Sequence, residues 1–386
     1  MDTGKITYVG WLEGHNLGDD AMYLANQAVF DPYELVPDNR RRGNQYSRIT
    51  VFGGGTLIPF VTFWARPNWY NYAFGVGVEV PEFWPEFFPA EAIEKAKKLN
   101  FRLLGVRGEI SRKLLKNWGI DSEVVGDPAL LLEPTGSQKR KDDLVVLNLS
   151  SANRIWGRNC KRILDEAKKL CVVLKREGYR VVLVPFCAED ISVTENVSQA
   201  AGVEIFDGWE DIQSTINFIA SSRVVIGERL HCNIFSASAY TPFIMIAYRP
   251  KCFDFVNTVG FAKYAIRTDE LTSQKTFSLF QDLMENWANL NEQLMENVGR
   301  NRKRLREFGQ RIKNDIEGLP DSKWSTPNAV GNIKWRMFNQ TDRALHYKAY
   351  RIWRVRHRLK RVDATELGAR QASARTNLAS DQENIA

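Results

Sequence analysis

The sequence of 386 residues has few of the residues that build metal centres or disulfide frameworks. It contains four histidines and five cysteines, with no CxxC pair and no histidine–cysteine cluster at metal-ligand spacing. These counts argue against structural zinc and against a disulfide framework, and we expect no metal site. No run approaches the roughly 20 apolar residues that cross a bilayer, and the first residues lack the pattern of a signal peptide. We therefore expect a cytoplasmic protein.

The net charge of +7 is carried by one end of the chain rather than by the whole protein. Residues 321–386 contain 13 lysines and arginines against 6 aspartates and glutamates, so this segment alone accounts for the excess. The preceding 320 residues hold equal numbers of basic and acidic side chains. A folded body without excess positive charge argues against nucleic acid as a partner, because a phosphate backbone is bound by a basic face.

Short runs rich in β-forming residues alternate with helical stretches from residue 5 to residue 270. In the first half, strands are expected at Ile6–Trp11, Arg48–Phe52, Tyr72–Val78 and Phe101–Val106, and helices at Ala90–Asn100 and Glu109–Trp118. In the second half, strands are expected at Leu144–Ser150, Arg180–Pro185, Arg223–Ile226 and Phe243–Ala247, and helices at Cys160–Glu177, Ile212–Ala220 and Leu230–Ala239. This alternation predicts parallel sheets built from βαβ units.

The segment Glu133–Asp143 is polar, contains proline and glycine and has no apolar period, which is typical of a linker. We therefore predict two Rossmann-like, doubly wound α/β domains, residues 1–133 and 144–270, that face each other across a cleft. Residues 271–320 are expected to be helical and to pack across the domains. Residues 321–386 are the basic tail.

Ligands of doubly wound sheets bind where loops leave the carboxyl ends of strands, so polar residues directly after the predicted strands are candidates for the site. After the first strand come His15, Asn16, Gly18, Asp19 and Asp20. Gly18 suits a tight turn, and Asp19 or Asp20 can cap the following helix while facing the cleft. The alternative is a turn and a helix cap without a functional role.

Two further strand ends carry candidates for anion binding. Gly53, Gly54 and Gly55 follow the second predicted strand, where bare backbone N–H groups would let a phosphate or a sugar approach closely. The same run also fits an ordinary turn. Arg107 follows the fourth predicted strand, and its guanidinium can hold a carboxylate or a phosphate through two hydrogen bonds. The alternative for Arg107 is a surface ion pair with Glu109.

The densest group of candidates lies within Val224–Lys251. Arg229 and His231 stand at the start of a helix of small residues, and Lys251 follows the next strand. A histidine between such cations is a candidate acid or base, although a lone histidine also serves as a packing residue. Asp127, by contrast, precedes a proline and is expected to fix a turn.

Taken in order, these segments resemble the polysaccharide pyruvyl transferase family. The matching pieces are Asn16-x-Gly18-Asp19, the run Gly53–Gly55, "VRGEIS…LLKNWGI", "VVGDPALLL", "RLH" and "AYRPK". The resemblance spans roughly residues 5–260 and does not reach the tail. Asn16 and the three glycines are expected to line the substrate site.

The resemblance implies a glycosyltransferase-B-like pair of Rossmann-type domains and a transferase with phosphoenolpyruvate as co-substrate and no other cofactor. The implied reaction joins pyruvate to two free hydroxyls of a sugar, in a polysaccharide or its precursor, as a cyclic ketal and releases phosphate. It points to Arg107, His231 and Lys251 as residues of the donor site. The sequence departs from the family at Gly108, because many relatives carry an acidic residue directly after the arginine.

This reaction would account for the charges of the candidate residues. Phosphoenolpyruvate carries a carboxylate and a phosphate, which Arg107, Arg229 and Lys251 can hold. Its methylene carbon must gain a proton, and His231 is the candidate acid. The candidates for the base that activates the sugar hydroxyls are Asp19, Asp20 and His15.

Two other functions are compatible with the sequence. A glycosyltransferase that uses a nucleotide sugar would need a ribose pocket in the second domain, and Glu228 beside Arg229 is a candidate for that contact. A non-catalytic carbohydrate-binding relative is the second alternative, which the joint presence of Arg107, His231 and Lys251 disfavours.

The tail has a feature of its own. Between Arg343 and Arg361 it carries eight lysines and arginines, and apolar residues recur near helical spacing at Leu345, Ala349, Ile352, Trp353 and Leu359. Such a basic amphipathic segment suits the surface of an anionic membrane, where lipid-linked saccharides are assembled. The alternative is a solvated basic extension. We expect residues 333–362 to dock peripherally at the inner face of the membrane and to bring the cleft to its acceptor.

Overall fold

A computed structural model of the chain describes residues 4–12, 15–37, 47–59, 69–83 and 90–324. All of them belong to one compact unit, Met1–Asn332. The segment 333–362, for which we predict membrane docking, lies outside the described residues.

The first domain is built on a parallel sheet at the amino-terminal side of the chain. Its strands are β1 (Lys5–Val9), β2 (Glu34–Pro37), β3 (Ile49–Phe52), β4 (Thr56–Ile58), β5 (Tyr70–Val78), β6 (Leu103–Val106) and β7 (Glu123–Val124). They run in the order β2-β1-β3-β5-β6-β7, and β4 pairs with β5. The helices of this domain are α1 (Leu17–Phe30), α2 (Ala90–Lys97) and α3 (Glu109–Asn117).

The second domain is built on a separate parallel sheet. Its strands are β8 (Leu144–Asn148), β9 (Arg180–Leu183), β10 (Glu204–Ile205), β11 (Val224–Gly227), β12 (Phe243–Ala247) and β13 (Ala265–Arg267). They run in the order β10-β9-β8-β11-β12-β13. Its helices are α4 (Cys160–Arg176), α5 (Ile191–Ala201), α6 (Ile212–Ala220), α7 (Leu230–Ser238) and α8 (Pro250–Thr258), and the chain continues into α9 (Ser273–Glu285) and α10 (Trp287–Glu317).

The central strands of both sheets are buried along their whole length, and this burial accounts for the apolar runs that predicted parallel sheets. Every residue of β3, β8 and β12 is buried, as expected for parallel strands that are covered by helices on both faces. Such strands appear in sequence as continuous apolar runs rather than as alternating ones. The prediction of two Rossmann-like α/β domains with parallel sheets is confirmed.

Helix α10 contacts both domains along its 31 residues. Near its beginning, the indole Nε1 of Trp287 donates to the carbonyl of Arg223 in the second domain at 2.8 Å. Near its end, Asp315 accepts hydrogen bonds from Tyr72 and Arg102 of the first domain. Helix α10, which follows the second sheet in the chain, therefore joins the two domains in addition to the linker Glu133–Asp143.

A single buried arginine on α10 connects the end of the first domain to the second. Arg302 donates to the carbonyl of Leu130 at 2.7 Å and to that of Ser238 at 2.9 Å. Its guanidinium also bonds the hydroxyl of Tyr240. Because five guanidinium donors can serve several carbonyls at once, one side chain ties together segments that no strand pairing joins.

The beginning of α1 differs from the expectation. The cap is Asn16, whose extended backbone precedes the helix and whose Oδ1 accepts from the N–H of Gly18 at 3.1 Å. Asp19 and Asp20 lie inside the first helical turn, so neither of them is the cap that we predicted. Gly18 is likewise helical and buried, and it does not form a turn.

Candidate functional site

The loops that leave the carboxyl ends of the parallel strands converge between the two sheets. The contact between the domains is direct here, because Leu17 at the start of α1 donates its N–H to the carbonyl of Phe186 at 2.9 Å. Ala188 in turn donates to the carbonyl of His15 at 3.2 Å. The strand ends of both sheets therefore face one another, which is where ligands of doubly wound sheets bind.

Arg107 and Asp127 form a buried ion pair at the end of β6 and β7. The Nε of Arg107 donates to Oδ2 of Asp127 at 2.7 Å, and the two side chains are 1% and 0% exposed. The other oxygen of Asp127 accepts from the N–H of Ala129 at 3.0 Å and so fixes the carboxylate. Within the described part of the chain, neither Nη1 nor Nη2 of Arg107 has a hydrogen-bond partner, and both are buried.

This geometry decides between the two interpretations of Arg107. Glu109 pairs with Arg112 instead, at 2.9 Å on the surface of α3, so the ion pair between Arg107 and Glu109 does not exist. Arg107 is held through Nε alone, which leaves the flat end of the guanidinium free to donate two parallel hydrogen bonds. That end is the part that binds a carboxylate or a phosphate.

His231 lies in the first turn of α7, beside this ion pair. Its Nε2 is 3.9 Å from Oδ2 of Asp127, and among the described residues this buried nitrogen has no hydrogen-bond partner. A Cβ on Gly18 would fall inside van der Waals distance of the His231 ring, so the imidazole lies directly on the backbone of α1. Burial, together with the charges of Arg107, Lys251 and Arg229, lowers the pKa of His231 to about 3, although the Asp127 carboxylate opposes the shift.

Asp19 and Lys251 approach the same place from opposite domains. Burial raises the pKa of Asp19 to about 7, while the nearby ammonium of Lys251 opposes that shift. Lys251 is half-buried at the start of α8, with its Nζ 5.1 Å from the ring centre of Tyr248. The structure thus brings together Arg107, His231, Lys251 and Asp19.

Arg229 contributes charge to this group, but its guanidinium is already engaged. Its Nη2 donates to Oδ1 of Asp190 at 2.6 Å and its Nε to Oδ2 at 2.9 Å. Asp190 is fully buried and also accepts from the N–H of Ser151 at 3.0 Å. Arg229 therefore serves an internal network and offers less to a ligand than Arg107 does.

Asp20 stands apart from the cations. Burial raises its pKa, and the charge that opposes this shift is that of His15. His15 is exposed and has a positive φ of 47° at the point where the chain enters α1. The charges of Lys251, Arg229 and Arg107 instead act on the pKa of Asp19, which all three lower.

The three glycines after β3 are occupied by packing rather than left bare. Gly53 donates its N–H to the carbonyl of Val9 at 3.2 Å and accepts from Nδ2 of Asn26 at 2.7 Å. A Cβ on Gly53 or Gly54 would meet the ring of Tyr8. Only Gly55, with a positive φ of 75°, comes near a site residue, since its Cβ position is 3.8 Å from Oδ1 of Asp19. The expectation of bare N–H groups does not hold for Gly53, because strand pairing and close packing required the glycine.

Three acidic residues that shape the site, Asp127, Glu79 and Asp190, are not among the site residues predicted from the sequence. Asp127 was assigned to a turn, which it does fix, but its second oxygen also orients Arg107. Glu79 follows β5 and is buried, and burial raises the pKa of its carboxyl while Lys251 and Arg249 lower it. A strand-end position marks Asp127 and Glu79, whereas no local signal marks Asp190.

Two further features, a metal site and a membrane-spanning helix, are both absent from the described residues. Across the described ranges, no group of three or more His, Cys, Asp or Glu side chains is arranged to hold a metal ion. The described helices include none that is long and apolar enough to span a bilayer.

The sequence and the fold were compared with known proteins. The family model described as polysaccharide pyruvyl transferase matches residues 16–250, which is more than half of the chain. The matched region begins at the cap of α1 and ends one residue before Lys251. A comparison with curated protein sequences finds no significant match.

Solved structures with the same architecture are distant in sequence. The putative UDP-N-acetylglucosamine 2-epimerase from Listeria monocytogenes has a TM-score of 0.55 at 10% identity, over 83% of this chain and 99% of that one. The S. aureus MnaA–UDP structure has a TM-score of 0.53 at 11% identity, over 82% and 99% of the two chains. The UDP-GlcNAc 2-epimerase from Neisseria meningitidis, bound to UDP-GlcNAc, has a TM-score of 0.52 at 9% identity, over 82% and 100%. At these identities the similarity shows the fold alone, a glycosyltransferase-B-like pair of domains.

Proposed function

The chain belongs to the polysaccharide pyruvyl transferase family, and we propose that it transfers pyruvate from phosphoenolpyruvate to two hydroxyls of a sugar in a polysaccharide or its precursor. The family supports a transferase that modifies polysaccharides. Phosphoenolpyruvate as the donor and a pyruvyl ketal as the product are proposed in addition to this family assignment.

One observation carries the proposal. Arg107 is buried, fixed by Asp127 through Nε, and presents two buried Nη donors that have no partner in the described part of the chain. A buried cationic group with unused donors costs free energy unless an anion completes it. With Lys251 arriving from the other domain, the site suits a ligand that carries two anionic groups. Phosphoenolpyruvate, with its carboxylate and phosphate, is such a ligand.

The reaction must balance at three atoms of the donor. The C2 carbon forms bonds to two sugar oxygens, while its π bond to the methylene carbon and its bond to the phosphate oxygen break. The methylene carbon gains one proton, and the two hydroxyls lose theirs, so the second proton leaves with the phosphate. The protein must therefore supply an acid near the methylene, a base near the hydroxyls and cations around the departing phosphate.

His231 suits the role of acid once the donor is bound. In the ligand-free protein, burial and the neighbouring cations hold its pKa near 3, so the imidazole is neutral. A bound dianion would offset the charges of Arg107 and Lys251, and so would raise the pKa of His231. Donor binding would then bring a proton to the nitrogen that passes it to the methylene carbon.

Asp19 suits the role of base for the acceptor hydroxyls. A carboxyl whose pKa is raised to about 7 exchanges its proton in the physiological range, as a general base must. It lies on α1 beside Gly55, at the edge of the donor cluster. A sugar between Asp19 and the C2 carbon would have its hydroxyls directed at both.

A nucleotide-sugar glycosyltransferase is less well supported. Some proteins of similar fold are described with UDP or UDP-GlcNAc bound. The predicted ribose contact, Glu228, is 1% exposed, and its Oε2 already accepts from the N–H of Ser150 at 2.8 Å. Its other oxygen, Oε1, is buried without a hydrogen-bond partner in the described part of the chain. The family match, rather than the state of Glu228, therefore favours pyruvyl transfer over this alternative.

The proposal is tested by incubating the protein with phosphoenolpyruvate and a panel of sugar acceptors, lipid-linked ones included. Acceptor-dependent release of phosphate, with a ketal product detected by mass spectrometry, is the expected result. Parallel incubations with nucleotide sugars provide the control. Transfer from a nucleotide sugar without consumption of phosphoenolpyruvate would contradict the proposal.

We propose a separate role for the tail, which rests on its sequence alone. Its basic residues and apolar spacing between 343 and 361 suit an anionic membrane surface. Docking there would bring the cleft to lipid-linked acceptors.

A further inference from the structure

Helix α3 begins directly after Arg107 without a capping side chain of its own. The residue at the cap position is Gly108, with extended φ and ψ of −159° and −179°. The first N–H groups of a helix have no intrahelical partner, and a side-chain oxygen at the cap position commonly accepts from the second or third residue of the helix. Gly108 has no such oxygen.

Asp254 supplies the missing acceptor from helix α8 of the other domain. Its Oδ1 accepts from the N–H of Ile110 at 2.9 Å and from that of Ser111 at 3.3 Å, which are the second and third residues of α3. Its Oδ2 accepts from the hydroxyl of Ser111 at 2.6 Å. Asp254 is 2% exposed, so this is a buried contact between the domains.

Gly108 is required for this contact. A Cβ at position 108 would fall inside van der Waals distance of Oδ1 and of the backbone carbonyl oxygen of Asp254. The side chain could rotate away, but the carbonyl can move only if helix α8 moves. Because Gly108 has no side chain, Asp254 can come close enough to cap helix α3.

The contact links the two segments that carry the site's cations. Arg107 immediately precedes Gly108 in the chain. Lys251 lies three residues before Asp254 on helix α8, and this spacing puts Lys251 and Asp254 on the same face of that helix. The hydroxyl of Ser111 also accepts from the N–H of Val78 at 3.0 Å, at the end of β5.

We propose that Asp254 is a positioning residue that, through the amino terminus of α3, sets the separation between Arg107 and Lys251. The inference rests on the proposed function, since the ligand that both cations hold is the phosphate and carboxylate of phosphoenolpyruvate. The site is then complete only while α8 caps α3. Asp254 does not touch the reacting atoms.

The experiment measures donor affinity and local protection separately. Asp254→Ala, Asp254→Asn and Gly108→Ala are titrated calorimetrically with phosphoenolpyruvate alone, and hydrogen exchange is followed for residues 108–114. Asp254→Ala and Gly108→Ala are expected to lose at least tenfold in affinity and to exchange faster at α3. Asp254→Asn retains most of the affinity, because its amide oxygen still accepts from the two N–H groups.

Gly299→Ala is the matched control, because that glycine lies exposed on α10 with open space around its Cβ position. It is expected to bind as the unaltered protein does. Wild-type affinity in both Asp254→Ala and Gly108→Ala would overturn the inference, as would equal losses in Asp254→Asn and Asp254→Ala. Failure of the unaltered protein to bind phosphoenolpyruvate would instead overturn the proposed function, and the positioning role with it. The exchange rates at α3 would still report whether Asp254 caps the helix.

Discussion

The imidazole of His231 lies directly against the backbone of Gly18, so a residue of the second domain fills the space where a side chain on α1 of the first would stand. Gly18→Ala adds only a methyl group and favours the helix. Because His231 must move to admit it, we expect kcat/KM to fall by about 10²-fold, the scale of a misplaced catalytic group, while the fold is kept. Steady-state kinetics beside circular dichroism measures this. Unchanged kinetics would show that the contact is not needed.

The orientation of Arg107 provides a second prediction. A lysine at this position cannot bond Asp127 and also offer two parallel donors, so Arg107→Lys should lose about 10²-fold or more in kcat/KM for phosphoenolpyruvate. Arg112→Ala is the control, because it removes an exposed arginine of α3 that pairs with Glu109 at the surface. Equal activity of the lysine variant would mean that the charge alone suffices.

Asp127 should matter for stability as well as for activity. Asp127→Ala would leave the Arg107 charge buried and unpaired, which typically costs about 3–5 kcal/mol. Urea denaturation measures the free energy of unfolding of this variant. A loss below about 1 kcal/mol would show that water or another group replaces the carboxylate.

The pKa of His231 predicts proton uptake when the donor binds. Since burial holds it near 3 in the ligand-free protein, the imidazole is neutral at pH 6 to 7, and an anion beside Arg107 and Lys251 should raise the pKa and charge the ring. Calorimetric titrations in buffers of different ionisation enthalpy measure the proton count. His231→Gln should bind the donor without proton uptake and with much lower kcat. A variant that still takes up the proton, or that turns over normally, would remove His231 from the mechanism.

Asp19 predicts a pH dependence near neutrality. With its pKa raised to about 7, a base at this position gives a kcat/KM that rises through pH 7, and Asp19→Asn should remove that rise. Persistence of the same limb in Asp19→Asn would assign it to another group.

The free energy of unfolding should change with pH in the opposite direction, because the folded state holds the proton of Asp19 more tightly than the unfolded chain does. Asp19 therefore contributes most to stability below its ordinary pKa of 3.8, and this contribution is lost as the pH rises from there to about 7.

The tail can be removed without disturbing the described domains if the cut is placed correctly. Residues Asp321–Trp324 form a short 3₁₀ turn, and the carbonyl of Lys323 accepts from the N–H of Arg48 at 3.0 Å. Truncation after Trp324 keeps this contact. The shortened protein should lose salt-sensitive binding to anionic vesicles and keep its activity on a soluble acceptor. Equal indifference of both proteins to such vesicles would contradict membrane docking.

The sequence by itself determined the architecture and the strand ends at which the candidate site residues lie. Continuous apolar runs such as β8 and β12 have the composition of strands buried on both faces, and that composition is local information. Polar residues after such strands then mark the ligand edge. Strand-end positions made Arg107, Arg229, His231 and Lys251 candidates, and the resemblance to the family pointed to Arg107, His231 and Lys251 among them.

Only the tertiary structure decided which of these groups are engaged and which are free. Arg107 and Arg229 look alike in sequence, yet one keeps two unused donors and the other is held by Asp190. Gly18 suits a tight turn in sequence and Gly108 departs from the family, yet each is required because a residue of the opposite domain occupies the space of its side chain. The contacts of Gly18 with His231 and of Gly108 with Asp254 join residues of different domains, and they depend on how the two sheets meet. No local pattern of residues carries that information.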